Sequence, residues 1–120
     1  MKPITAESCI RQQVDVEKLR LLRQQLINKL DELTALADFF AIAGNPTRLR
    51  MLYLLAAGKE LCVCDLADVL DMSVSAVSHQ LRKLRDRSML LQRREGPTIF
   101  YRLAPGAFQE LLVKLFKIDD

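Results

Sequence analysis

The sequence predicts a mainly helical fold that carries one small β-hairpin. Apolar residues recur at three- and four-residue spacing through most of the chain, which is the period of amphipathic helices. Helix-start signals follow turn residues at two positions, and two strand-like segments flank a turn at residues 95–98. Of the 120 residues 50% are hydrophobic, which is enough for one packed core, and Trp is absent, so we expect aliphatic side chains to fill it.

A long first helix is predicted by a stripe of large apolar side chains on one face. The stripe consists of Leu19, Leu22, Leu26, Leu30, Leu33, Leu36 and Phe40. A leucine stripe at the edge of a small domain often packs on a second subunit, so we expect a homodimer; packing on its own domain is the alternative. The polar residues before the stripe predict an N-terminal arm over 1–15, followed by one domain over 16–120.

Two further helices are expected after the boundary Gly44-Asn45-Pro46. Asn45 is a good N-cap, Pro46 suits the first helical position, and Gly58 is the expected stop of the second helix. The third helix is expected over about Val63–Leu70. The side chains expected in the core from these two helices are Leu49, Leu52, Tyr53, Leu55, Val63, Leu66, Val69 and Leu70.

The fourth helix is expected to run from Val74 to about Arg87, with Ser73 as its cap after a short turn. Its apolar side consists of Val74, Val77, Leu81 and Leu84. Two strands then surround the turn at 95–98. Pro105 opens a last helix whose apolar side consists of Phe108, Leu111, Leu112, Leu115 and Phe116.

This order of helix, tight turn, helix and basic hairpin is the layout of a winged helix-turn-helix, a fold that binds double-stranded DNA. The segment 82–102 has seven basic and two acidic side chains, a charge typical of a polyanion-binding face. A helix buried on one side and lined opposite with short polar and basic residues can enter the major groove. The predicted DNA-contacting residues are Ser75, Ser78, His79, Arg82, Lys83, Arg93 and Arg94. The alternative is a surface that is only solvated.

Several classes of protein are disfavoured by the sequence. No apolar run approaches the roughly 20 residues that span a bilayer, and the N-terminus lacks the apolar centre of a secretory signal. We therefore expect a soluble, cytoplasmic protein without a membrane partner. One His, no Gly-rich phosphate loop and no nucleophile–base pairing argue against an enzyme, so no small-molecule substrate is expected.

The chain resembles the ArsR/SmtB family of metal-sensing repressors over about residues 35–112. Three segments and the hairpin end carry the resemblance: 44–50 (GNPTRLR), 60–66 (ELCVCDL), 75–81 (SAVSHQL) and 100–103 (FYRL). The resemblance implies a homodimeric winged-helix repressor whose first and last helices form the dimer core. It also implies that the protein leaves a palindromic operator when metal binds.

The pair Cys62 and Cys64 is the predicted sensing site. If the third helix starts near Val63, Cys62 lies in extended backbone at the cap and Cys64 in the first turn, so both sulfurs can converge on one ion. The resemblance is to the variant with its site on the first helix of the helix-turn-helix. Arsenite sensors of that kind have a third cysteine where this chain has Ala67, whereas cadmium and lead sensors add thiolates from an N-terminal arm, which Cys9 fits.

Three thiolates would make a soft, roughly trigonal site for Cd(II) or Pb(II), which the resemblance favours. Hg(II) or As(III) would also suit it, and Zn(II) with a fourth oxygen or water. A second zinc site on the last helix, known in the family, is not expected because Pro105, Gly106 and Ala107 replace its first ligands. Two alternatives remain open: a redox sensor that forms a disulfide between Cys9 and the pair, and an interaction or metal-buffering protein without DNA binding.

Overall fold

The computed structural model describes residues 10–118, which form five helices and three short strands. The elements are α1 Val16–Ala43, α2 Pro46–Gly58, β1 Leu61–Cys62, α3 Val63–Leu70, α4 Val74–Asp86, β2 Leu90–Glu95, β3 Thr98–Leu103 and α5 Ala107–Phe116. The strands form one antiparallel sheet in the order β1-β3-β2. This is the expected mainly helical winged helix-turn-helix, in which β2 and β3 form the wing and β1 is an addition that the sequence did not indicate.

The described chain divides into two units, with the boundary between Thr34 and Ala35. In the described part of the first unit, the leucines of the predicted stripe are exposed by 40–52%. They are Leu19, Leu22, Leu26, Leu30 and Leu33. A single chain therefore leaves this apolar face uncovered. The expected arm over 1–15 and domain over 16–120 stay predictions.

The core of the second unit lies where α2, α3, α4 and the wing meet. Its fully buried side chains are Met51, Leu52, Leu55, Leu66, Val77, Leu81 and Leu84. The expected core positions Leu49, Tyr53, Val69, Val74 and Leu115 are wrong, because each is at least 40% exposed. Leu49, Tyr53 and Val69 line an open groove, and Val74 is the first residue of its helix, so no element covers them.

The predicted helix starts are confirmed by their caps. The Asn45 side chain accepts a hydrogen bond from the Arg48 N–H, and the Ser73 hydroxyl accepts one from the Ala76 N–H, both at 3.1 Å. Helix α2 ends at Gly58, but the residue with positive φ is Lys59, at 69°. Gly58 itself packs closely on the next segment: a Cβ there would lie 3.1 Å from the Leu61 side chain, which would have to shift to make room.

Arg48 joins three parts of the second unit through its guanidinium group. Its Nε donates to the carbonyl oxygen of Ile42 near the end of α1 at 2.6 Å. One terminal nitrogen donates to the side-chain oxygen of Gln80 in α4 at 3.1 Å. The helix that carries the predicted DNA contacts is thereby held to the segment that precedes α2.

Replacement of Arg48 by alanine is expected to lower the free energy of unfolding by about 1–3 kcal/mol, since both hydrogen bonds involve a charged, partly buried donor. Chemical denaturation followed by circular dichroism measures this difference. The matched control is Arg50→Ala, an exposed arginine of the same helix, for which we expect a change below about 0.5 kcal/mol. Equal effects of the two substitutions would contradict the role given to Arg48.

Candidate nucleic-acid interface and cysteine pair

Helix α4 is buried on one side and exposed on the other. Val77, Leu81 and Leu84 face the core, and α3 packs against α4. The predicted DNA-contacting residues of the helix lie on the other side: Ser75, His79, Arg82 and Lys83 are exposed, and Ser78 is half-buried. Neither Arg82 nor Lys83 forms an ion pair with any residue in 10–118, so both charges are available to an anionic partner.

The two arginines of β2 have different surroundings. Arg94 is exposed and has no ion pair within the described residues, whereas Arg93 is surrounded by partners. Its guanidinium donates to Glu60 at 2.7 and 3.3 Å and to Glu95 at 2.8 Å, and it lies 4.7 Å from the centroid of the Phe100 ring. Of the two residues predicted to contact DNA, only Arg94 has its charge free for that task.

This ion-pair cluster shifts the pKa values of Glu60 and Arg93. The hydrogen bonds from Arg93 lower the pKa of the Glu60 carboxyl below its ordinary value. The hydrogen bonds to Glu60 and then Glu95 raise the pKa of Arg93 above its ordinary value. Both groups therefore stay charged through the neutral range, and the cluster remains an ion pair there.

The cysteine pair lies where the sequence predicted, at the N-terminus of α3. Cys62 is the N-cap residue, with φ −88° and ψ 169°, and Cys64 is in the first turn. Both are free thiols, Cys62 half-buried and Cys64 exposed. The third predicted ligand, Cys9, lies outside the described residues.

The two carboxylates beside the pair are already engaged. The Asp65 carboxylate accepts a hydrogen bond from the backbone N–H of Cys62 at 3.2 Å, the return half of a capping box. Glu60 is bound to Arg93. Within residues 10–118, no group of three or more His, Cys, Asp or Glu side chains is placed to hold a metal ion.

A shallow cavity of about 220 Å³ adjoins the cysteines. It is lined by Cys62, Val63, Cys64, Pro97, Thr98 and Ile99, so the start of α3 forms one side and the wing the other. Two accessible sulfur donors on one cavity fit a soft metal ion as a partial ligand set. Within residues 10–118, no His, Asp or Glu side chain lines this cavity beside the two cysteines.

Sequence reasoning missed the contacts that Glu60 and Phe100 make with Arg93 of the wing. Glu60 and Arg93 are 33 residues apart, and a two-residue strand is too short to give an alternating pattern. The one available signal was an acid directly before the CxC segment and an arginine inside a strand, which have opposite charges.

The helix-turn-helix segment of this chain matches a known protein family. Residues 45–87, which hold α2, α3 and α4, match the family described as "Bacterial regulatory protein, arsR family". The chain is 42% identical over 103 residues to the transcriptional repressor SmtB homolog of Synechocystis sp., covering 86% of this chain and 76% of that protein. It is 29% identical over 115 residues to the CadC homolog of Staphylococcus aureus, a cadmium resistance transcriptional regulatory protein, covering 94% and 92%.

The fold is also that of a solved regulator. The structure of HlyU from Vibrio cholerae N16961 superposes with a TM-score of 0.63 at 31% identity, covering 72% of this chain and 96% of that one. No helix within residues 10–118 is long and apolar enough to cross a membrane. The identity to the SmtB homolog, the matched helix-turn-helix and the shared fold agree: the chain belongs to the ArsR/SmtB family of winged helix-turn-helix transcriptional regulators, which are not enzymes.

Proposed function

We propose that the protein is a metal-responsive repressor that binds operator DNA as a homodimer and leaves it when a thiophilic metal ion binds Cys62, Cys64 and Cys9. The observation that carries the proposal is the position of the CxC pair. Cys62 is the N-cap residue of α3 and Cys64 lies in its first turn. Helix α3 packs directly on α4, the helix that carries the proposed DNA contacts.

The DNA interface rests on the exposed side of α4. Ser75, Ser78 and His79 are proposed to contact base edges or phosphates in the major groove. Arg82 and Lys83 supply unpaired positive charge for phosphates, which provide much of the affinity. Arg94 is proposed as the phosphate or minor-groove contact of the wing, and Arg93 as a residue that holds the wing in shape.

The metal site rests on the accessibility and geometry of the two thiols. Cys62 and Cys64 share a cavity that is open to solvent, so a metal ion can reach both. A bound soft ion would supply a strong link between thiolates of separate segments. The naming of the Staphylococcus aureus relative as a cadmium resistance regulator supports Cd(II), with Pb(II) as the second choice and Zn(II), Hg(II) or As(III) also suited to the donors.

The homodimer rests on the apolar face of α1. Five leucines exposed by 40–52% would be covered if the first helices of two chains packed together. Two copies also provide two recognition helices for the half-sites of a palindromic operator. Sedimentation of the purified protein across a concentration series tests this part of the proposal.

Substitution of Cys62 by serine is expected to abolish metal-induced release while leaving operator binding intact. In the unsubstituted protein, metal should weaken operator binding roughly 5- to 150-fold, as is typical of allosteric coupling. The measurement is a DNA-binding titration by fluorescence anisotropy with Cd, Pb, Zn, Hg and As(III) in turn. Normal release by Cys62→Ser would contradict the proposed site.

The variant Cys9→Ser tests the third ligand in the same titration. If the arm supplies a thiolate, this variant should need a higher metal concentration for release and lose part of its thiolate-to-metal absorption. A response identical to that of the unsubstituted protein would remove Cys9 from the site and leave the pair.

A redox-sensing repressor that uses the same cysteines is the second candidate, supported by the accessibility of both thiols in the described structure. Here two thiols and one hydrogen peroxide would give one disulfide and two waters, so the protein loses two hydrogens per crosslink. Mass spectrometry after peroxide treatment detects that loss. Reversible release of operator by peroxide, with no response to any metal of the panel, would favour this candidate.

A further inference from the structure

A continuous row of three side chains crosses the sheet from the cysteine pair to the outer strand of the wing. Cys62 of β1 is opposite Phe100 of β3, and Phe100 is opposite Arg93 of β2. Residues directly opposite in antiparallel strands project to the same side of a sheet and touch their neighbours. The proposed metal ligand Cys62 thus shares a face with the Arg93–Phe100 contact.

A second connection runs beside this row. The Glu60 side chain, just before β1, binds the Arg93 guanidinium with both carboxylate oxygens, at 2.7 Å and 3.3 Å. The Glu60 side chain is half-buried, with 31% of its area exposed, and the Arg93 side chain is exposed by 49%. Such a two-point ion pair fixes orientation as well as distance, because the guanidinium is planar and its donors have fixed directions.

Arg94, which has no ion pair within residues 10–118, lies next to Arg93 on β2. Since successive side chains of a strand point to opposite faces, Arg94 projects away from the face that holds Cys62, Phe100 and Arg93. Any shift of β2 at Arg93 therefore moves Arg94 with it.

We propose that metal binding at the cysteine pair is transmitted to DNA through the wing, with Glu60 and Arg93 as the positioning residues that connect the two. The inference rests on the proposed function and adds the path by which metal binding at the cysteines affects DNA binding. Movement of Cys62 toward a metal ion displaces β1, and the Glu60–Arg93 pair and the Phe100 contact pull β2 and its Arg94 out of register with the DNA backbone.

The test compares two substitutions that change charge identically and remove one carboxylate partner of Arg93 each. Glu60→Gln breaks the connection to β1, whereas Glu95→Gln removes the partner at the hairpin end, where Glu95 is opposite Thr98. For each variant, operator affinity is measured by anisotropy with and without Cd(II), and metal binding is measured separately, without DNA, by thiolate-to-metal absorption.

The factor by which Cd(II) weakens operator binding should fall roughly 2- to 30-fold in Glu60→Gln and stay unchanged in Glu95→Gln, because substitutions along a coupling route act by about that much. Metal affinity without DNA should stay the same in both. Arg93→Ala should reduce the Cd(II) effect on operator binding as much as Glu60→Gln does, and the double variant Glu60→Gln with Arg93→Ala should reduce it no further. Arg93→Lys should keep part of the coupling.

Three outcomes would overturn the inference. The Glu60→Gln variant could leave the operator on metal addition as fully as the unsubstituted protein does, or Glu95→Gln could lose as much coupling as Glu60→Gln. A changed metal affinity of Glu60→Gln without DNA would instead make Glu60 a metal ligand. Failure of the proposed function is a separate result. It would appear in the unsubstituted protein as an absence of thiolate-to-metal absorption or of metal-induced release.

Discussion

Replacement of Leu81 by alanine is expected to lower the free energy of unfolding by about 2–5 kcal/mol. The Leu81 side chain is 1% exposed and lies on the buried side of α4, in the same core as Leu66 of α3 and Leu52 of α2. Loss of its three distal carbons removes buried apolar area and leaves a cavity that the three helices cannot close without moving. A loss of this size is a large part of the stability of a small domain.

Urea denaturation followed by circular dichroism measures the effect. Leu91→Ala is the matched control, since Leu91 is 40% exposed on β2 and loses the same atoms. We expect a loss below about 1 kcal/mol for the control. Comparable losses for the two leucines would show that the core around α4 is not packed as described.

Reversal of the two charges on α4, Arg82→Glu with Lys83→Glu, is expected to weaken binding to duplex DNA on the order of 100-fold near 0.1 M salt. Both side chains are exposed and unpaired among the described residues, so each reversal replaces attraction to phosphate by repulsion. The slope of log affinity against log salt concentration should become shallower by about 0.9 for each phosphate that the protein no longer neutralises.

Anisotropy titrations at four salt concentrations give both quantities. The charge-matched control is Lys18→Glu with Arg23→Glu, two exposed residues of α1. If net charge alone governed binding, the two double variants would behave alike, and the assignment of α4 as the recognition helix would be wrong. Unchanged circular dichroism is required of both.

Local signals in the sequence predicted the helices of the DNA-binding unit well. Asn45 and Ser73 mark the starts of α2 and α4 because their side chains accept hydrogen bonds from otherwise unpaired N–H groups of the first turn, and Pro46 has no N–H to satisfy. These requirements are local. The apolar period also identified Leu52, Leu66, Val77 and Leu81 as core residues. Periodicity shows which side of a helix is apolar but not whether another element covers it, so Leu49, Tyr53 and Val69 were misassigned.

The site was predictable in part. The extended backbone at Cys62 follows from its place just before a helix, and the structure confirms it. The pairing of β1 with β3 and the binding of Arg93 by Glu60 were not predictable, because both depend on how the wing folds back over the start of α3. The DNA contact of Arg93 stays a prediction, made without regard to the acid 33 residues earlier that binds its guanidinium.

If two chains pair through the exposed leucines of α1 as proposed, the fraction of operator that is bound depends on the number of chains in the cell. If only paired chains present both recognition helices, self-association and operator occupancy form one coupled equilibrium. At concentrations where single chains predominate and most operator is free, occupancy then rises with the square of total protein, so halving the protein concentration lowers it about fourfold. A promoter governed in this way would respond sharply to dilution during growth as well as to metal.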